Sequence, residues 1–258
     1  MTEELVRVEG SDRTAIIRLN RPLKLNALSR ALEEQLDAAL RGGAVLGARV
    51  VVIAGEGRAF CAGADVTEFV DEDPASILAY YADLGQVYER LAALPQPTIA
   101  AIHGYCLGGG LEMALACDFR VADDTAVFGL PEVAIGIVPS SGGTFRLTRA
   151  VGPARAKELI LLRDRFGAED ASRFGVVTEV VGAGRALERS LELAATLASL
   201  PPVAVGVAKQ AVDASAGASR EAALTIERLA YAALAQTHDA DEAARAFVEK
   251  REPRFEGR

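Results

Sequence analysis

The chain has 258 residues, half of them hydrophobic, with 24 glycines and a formal net charge of -8. That length allows a substantial core in one large domain or two small ones. The acidic balance leaves no basic footprint for nucleic acid, so any anionic ligand must be met by local groups.

Cys61, Cys106 and Cys117 cannot all pair and lack metal-ligand spacing, which favours core packing in a reducing compartment. The N-terminal MTEELVRVEG is acidic and has no apolar signal core, and no run reaches the ~18 apolar residues of a spanning helix. The expected location is the cytoplasm, with neither membrane nor nucleic acid as partner.

In chain order, residues 14–19 read as a strand, Arg21-Pro22 as a turn, and Ser29 as the cap of a helix to about residue 41, with Glu33 and Glu34 early in it. Residues 49–54 are a second strand, and GEGRAFCAGAD at 55–65 is a loop too rich in glycine for an ordinary connector. Residues 76–94 read as one helix ending before Pro95. The stretch 97–122, PTIAAIHGYCLGGGLEMALACDFRVA, then joins a buried strand at 98–102 to a helix at 111–117 that starts among Gly108, Gly109 and Gly110. Free backbone N–H groups should point out of that turn, ready for phosphate, carboxylate or a carbonyl oxygen that gains negative charge. Glu112 falls in the first helical turn, where the dipole favours an acid by about 0.3–1 kcal/mol, so this stretch alone leaves capping and chemistry both open.

Short strands at 119–122 and 126–128 precede LPEVAIGIVPSSGGTFRL, whose Pro and Gly punctuation suggests shaped backbone. From residue 152 onward, apart from an expected strand at 175–181, the chain reads as Ala-rich helix at roughly 185–199, 203–215, 218–236 and 239–250. Their small apolar residues suit packing within the chain or between subunits.

Several chemistries fail on spacing. Phe60 stands where a dinucleotide fingerprint at 55–60 needs a small residue, and Gly104 to Gly110 lacks the Lys-Ser/Thr ending of a phosphate loop. There is no G-x-S-x-G elbow, and the only histidines, His103 and His238, lack metal spacing. His103 reads as a packed or hydrogen-bonded residue, which leaves acid–base work to carboxylates.

Four motifs occur in order: R-x-x-K-x-N-A-L at 21–28, G-R-A-F-C-A-G-A-D at 57–65, G-Y-C-L-G-G-G-L-E-M-A-L-A-C-D at 104–118 and P-E-V-x-x-G-I-V-P at 131–139. Together they resemble the crotonase superfamily and, within it, enoyl-CoA hydratase. The resemblance runs from about residue 5 to E-K-R-x-P-x-F at 249–255. It implies an α/β fold, a crotonase-like spiral of repeated ββα units over 1–195. An α-helical region at 196–258 would build a homo-trimer, or a hexamer as a dimer of trimers. No metal or redox cofactor is expected, coenzyme A being part of the acyl-CoA substrate.

By match to the family's motifs, the N–H groups of Ala62 and Gly109 would form an oxyanion hole for the thioester carbonyl. Glu112 and Glu132 would hold one water between them, Glu132 delivering a proton to C2 and Glu112 activating the water that adds to C3. Lys24, Ala27 and Leu28 would border CoA, with Ala64, Asp65 and Val66 beside the nucleotide. Gly108, Pro131 and Pro139 complete the substrate-binding set, and Phe247 and Lys250, at i and i+3 on the last helix, would reach a neighbouring subunit's CoA. Lys24 also reads as a solvated lysine, and the last helix as an ordinary amphipathic one. Ser140-Ser141 stand where many hydratases have Gly-Ala, and Phe145 replaces a frequent glutamine, changes that reshape the acyl wall. Residues 67–93 would line or cover the acyl pocket, with Tyr80, Tyr81 and Tyr88 lining it or simply packing. Isomerisation or cleavage of a specialised CoA thioester, and a silent acyl-CoA-binding subunit, are the competing readings.

Overall fold

The computed structural model describes residues 3–10, 13–68, 73–162 and 165–258. Residues 69–72, inside the expected acyl-pocket stretch, lie outside the described residues. The chain opens with β1 (Val6–Gly10), β2 (Thr14–Leu19), α1 (Arg30–Leu40) and the one-turn α2 (Gly43–Leu46). Ser29 caps α1 as expected, its hydroxyl accepting from the Leu32 N–H.

Three strand–strand–helix units follow. β3 (Val50–Gly55) and β4 (Ala59–Cys61) lead to α3 (Pro74–Ala82) and α4 (Val87–Ala92); β5 (Thr98–Ile102) and β6 (Tyr105–Leu107) lead to α5 (Gly109–Ala116); β7 (Phe119–Asp123) and β8 (Val127–Gly129) lead to α6 (Gly143–Leu161). After these come β9 (Phe166–Gly167), α7 (Ala168–Phe174), β10 (Glu179–Val181) and the helices α8 (Ala186–Ala198), α9 (Pro202–Ser215), α10 (Arg220–Leu234) and α11 (His238–Glu249).

Each unit gives its first strand to one sheet, ordered β1-β2-β3-β5-β7-β10, and its second strand to another, ordered β4-β6-β8-β9. Among the described strands, only β1 and β9 run antiparallel to the neighbours they pair with, β2 and β8. The chain therefore spirals between two layers. Side-chain alternation explains the complete burial of β3: Val51 and Ile53 enter the main core between the sheets, while Val50, Val52 and Ala54 meet Ile99, Ala101, Val121 and the Ala194 and Ala198 side of α8 on the outer face. In α5, Gly110 through Ala116 are all buried, so a short helix with only one charged residue fits there.

The expected α/β spiral is present, but several elements differ from the sequence reading. The glycine loop at 55–65 contains β4, and a second strand, β6, lies between Ile102 and the glycines. Strands of three residues leave no periodicity to detect. The helix expected over 76–94 is two, separated at Asp83 and a 3-10 turn, Leu84–Gln86. The strand expected at 175–181 is only Glu179–Val181, since a left-handed Gly175 ends α7 just before it. α6, absent from the sequence reading, is interrupted at Gly152 (φ 78°) ahead of Pro153. β1 also went unread.

Candidate active site

Asn26 and Leu25 both adopt positive φ, 55° and 52°. Asn tolerates this better than most residues, and the buried Asn26 amide exploits it. Its Nδ2 donates to the carbonyls of Glu56, Ala59 and Phe60 at 2.9, 2.8 and 3.2 Å, and its Oδ1 accepts from the Arg21 N–H at 2.9 Å. One side chain thus stitches the 21–28 loop to the 56–64 loop. Leu28 adds a parallel bridge with Ala64: its N–H donates to Gly63 O, and its carbonyl accepts from the Asp65 N–H, both at 2.8 Å.

That bridge corrects the expected donor pair. The Ala62 N–H is spent on Leu25 O at 3.0 Å and cannot point at a ligand. In a parallel bridge the residues on either side of Ala64 make the bonds, which leaves its own N–H directed outward. Ala64 is exposed, and no hydrogen bond occupies its N–H among the described residues. Gly109, the first residue of α5, likewise carries a free N–H. The two adjoin: a Cβ added to Gly109 would lie 3.9 Å from Ala64 N, after striking Leu28 Cδ1 at 2.8 Å. Leu28 is buried and fills the space a larger residue at 109 would need. Gly108 precedes at φ 50°, where only glycine is comfortable.

Glu112, one turn into α5, is 3% exposed. Its Oε1 accepts from the N–H groups of Ser141 and Gly143 at 2.7 and 2.8 Å. Burial raises its proton affinity, while those two amides and the Arg146 charge pull it back. Glu132 lies on a 3-10 turn, Pro131–Ile135, with Pro131 starting the turn. It is half-buried, and its Oε2 has no hydrogen-bond partner among the described residues although fully enclosed. Burial, with the Glu112 charge adding, raises Glu132 to about 7 against the opposing pull of its own N–H. Its Oε1 lies 3.0 Å from where a Gly108 side chain would begin. The glycine turn therefore carries the Gly109 N–H beside that of Ala64 on one side and abuts Glu132, while Glu112 follows in the helix it starts.

The structure brings Gly108, Gly109, Glu112, Glu132, Leu28 and Ala64 together. Pro139 is buried beside Gly143, where an added Cβ would meet its ring at 2.8 Å. Ala27 closes the 3-10 turn at Pro22–Lys24, donating to Lys24 O at 3.0 Å, and Lys24 itself is exposed. Asp65 is engaged by Arg21 at 2.7 Å, and hydrogen bonds from Thr67 and Arg21 lower its carboxyl to about 2. Val66 is exposed nearby. Phe247 and Lys250 stand apart on and just after α11, Phe247 being 87% exposed, and among the described residues no hydrogen bond or ion pair ties either side chain to the glutamates.

Other residues settle as the sequence suggested or drop away. His103 Nε2 lies 3.0 Å from Gly57 O, a structural contact. All three cysteines are free and buried, and burial pushes the Cys61 and Cys117 thiols up to about 12, which makes them poor nucleophiles. Tyr80 and Tyr88 pack inward with their hydroxyls on Glu33, at 3.1 Å for Tyr88. A separate cleft of about 800 Å³ includes Phe145, Arg149, Lys209 and Asp213, but neither glutamate lines it. The amides of Ser141 and Gly143, the Asn26 stitch and the Ala64 donor were missed from sequence. Only the P-S-S-G-G punctuation hinted at the first.

A family model described as enoyl-CoA hydratase/isomerase matches residues 9–258. A "Probable enoyl-CoA hydratase" of Rhizobium meliloti is 42% identical over 259 residues, covering all of both chains. The 2,3-dehydroadipyl-CoA hydratase of Escherichia coli K12 is 41% identical over 97% of this chain and 98% of its own. The crystal structure of enoyl-CoA hydratase from Bacillus anthracis aligns at a TM-score of 0.93 and 38% identity, over 98% of this chain and 100% of that one. Shared sequence from end to end and a shared α/β spiral lead to one conclusion: the chain belongs to the enoyl-CoA hydratase/isomerase family, the crotonase superfamily, whose substrates are acyl-CoA thioesters.

Proposed function

We propose that this protein is an enoyl-CoA hydratase, adding water reversibly and syn to a trans-2-enoyl-CoA to give the 3-hydroxyacyl-CoA. The observation that carries this reading is two buried or half-buried carboxylates beside one pair of free backbone donors. The N–H groups of Ala64 and Gly109 take the thioester oxygen, polarising the enoyl group and stabilising the enolate; such donors are worth ~2.7–4 kcal/mol each when removed. Glu112, held by two amides, takes a proton from the water as its oxygen bonds to C3. Glu132, near 7, has a proton to give to C2 at neutral pH. The C2–C3 π bond, one water O–H bond and the Glu132 O–H bond break, the C3–O, C2–H and Glu112 O–H bonds form, and the proton on Glu112 returns to Glu132 through solvent before the next turnover. Lys24, Ala27, Asp65 and Val66 border CoA in the same reading.

In this reading the C-terminal helices build a trimer, alone or stacked as a hexamer, and bring Phe247 and Lys250 beside a neighbour's CoA. The absence of any buried residue in α10 supports this, because the helix has apolar residues such as Leu229 and Tyr231 left in solvent. Sedimentation velocity at micromolar concentration should give a trimer or hexamer; a monomer would remove the assembly reading.

The hydration test follows loss of the conjugated thioester absorbance on a short trans-2-enoyl-CoA and on 2,3-dehydroadipyl-CoA, with the product identified by mass. A gain of one water, abolished in Glu112→Gln and Glu132→Gln, is expected. A shifted double bond with no added water would instead establish isomerisation.

A further inference from the structure

Tyr81 and Ser140 connect two segments 59 residues apart in the chain. Tyr81 belongs to α3, and its hydroxyl shares a 2.5 Å hydrogen bond with Ser140 Oγ. Ser140 immediately precedes Ser141, whose N–H, with that of Gly143, holds Glu112 Oε1. The same loop is braced behind by Arg146, which donates to Ser141 O at 3.0 Å and reaches Glu89 at 2.6 Å. Ser140 itself is exposed, so its hydroxyl is not needed to fill the core.

The adjacent tyrosine fixes the other side of α3. Tyr80 donates to the buried Glu33 of α1, which also accepts from Tyr88 of α4, and the Tyr80 and Tyr81 rings meet edge to face with centroids 4.9 Å apart. Tyr80 thus anchors α3 to the core and Tyr81 carries that anchor to the glutamate loop. Burial raises the Tyr81 phenol, and the charges of Glu112, Glu33 and Glu132 add to the effect, which agrees with a hydroxyl beside the reacting groups.

We propose that Tyr81, acting through Ser140, is a positioning residue for Glu112: the hydroxyl pair fixes the loop whose amides orient that carboxylate. The inference rests on the hydration reading. Among the described residues, the titratable or charged groups facing Glu112 are Tyr81, Tyr88, Glu132 and Arg146. Because the Ser141 and Gly143 amides favour the ionised form of Glu112, loosening their loop makes Glu112 harder to ionise.

The test compares Tyr81→Phe, Ser140→Ala and the double variant with wild type, measuring kcat and KM across pH together with the Kd of a saturated acyl-CoA. Glu112→Gln runs alongside. Each single variant should lower kcat about fivefold, the rate equivalent of one net hydrogen bond. The double variant should lose no more than either single, since one interaction is removed once. KM and Kd should stay within about twofold, and the acid limb of the kcat profile should move to higher pH. Additive losses, an unmoved acid limb, a change confined to KM, or unaltered kcat in either single variant would overturn the proposal. If Glu112→Gln kept wild-type hydration, the hydration reading would fail and the inference with it. An inactive Glu112→Gln beside an unaffected Tyr81→Phe would sink the inference alone.

Discussion

Glu112 and Glu132 reach one site from unlike surroundings. Glu112 sits on a regular helix with two amides on one oxygen, whereas Glu132 sits on a 3-10 turn with one enclosed oxygen unpaired. Burial alone would push both toward the neutral acid. The difference lies in compensation: donors hold Glu112 toward the charged form, while Glu132 has little beyond its own N–H and also feels the Glu112 charge. In the proposed hydration these different surroundings would give two identical side chains opposite proton roles.

The most direct way to break the comparison is to remove each carboxylate separately. Glu132→Gln should lower kcat toward the upper end of the ~10²–10⁴-fold range of positioned acid–base groups, and Glu112→Gln toward the lower end. Saturated acyl-CoA should bind both variants nearly as well as wild type by calorimetry. Equal turnover in all three proteins would discard the two-carboxylate mechanism.

A pH profile sharpens the same contrast. If Glu132 gives the proton, kcat/KM for hydration should fall as pH rises through about 7, by tenfold per unit beyond it. Dehydration uses the same singly protonated pair with the proton on Glu112, and because the reaction releases no net proton its kcat/KM should carry the same fall above about 7. Stability follows the same sign: the folded state holds this proton more tightly than the unfolded chain, so Glu132's contribution is present below the ordinary carboxyl value and is lost as pH rises toward about 7. A hydration profile that stays flat through pH 7, or one unchanged in Glu132→Gln, would reject the assignment.

The smallest expected effect comes from disturbing only the compensation. A Cβ at Gly143 would lie 2.9 Å from Glu112 Cγ and Oε1 and 2.8 Å from Pro139 Cβ. Gly143→Ala should therefore displace Glu112 from its amides and lower kcat about tenfold, in line with overpacking costs of ~1–3 kcal/mol. The limb near pH 7 should move little, because burial, the largest cause of the Glu132 shift, is unchanged. Movement of that limb instead would mean that the two environments are not separable.

Much of this site was legible as chemistry before it was legible as geometry. The glycine cluster announced backbone donors, and Glu112 stood in the first turn after it. The choice between Ala62 and Ala64 was not readable, since both are alanines in one loop. It depends on which N–H is consumed by Leu25 O, across a contact with a different segment. Asn26 shows the same limit: a turn-favouring residue is visible in sequence, but the three carbonyls it ties together are not. The long strands and most helices were visible because their periodicity extends over several residues. β4 and β6 were not, because a three-residue strand is defined by its partner.

By itself the sequence determined the residue types and their order: two glutamates, the flanking glycines, the apolar strands that must be buried and the helices of the C-terminal third. These are local properties, set by side-chain size, polarity and backbone freedom. Only the tertiary structure decided which backbone groups remain unpaired, which oxygen of Glu112 is held and why burial raises the proton affinity of Glu132. Those depend on hydrogen-bond partners and burial contributed by segments far apart in the chain, so no reading of one stretch contains them.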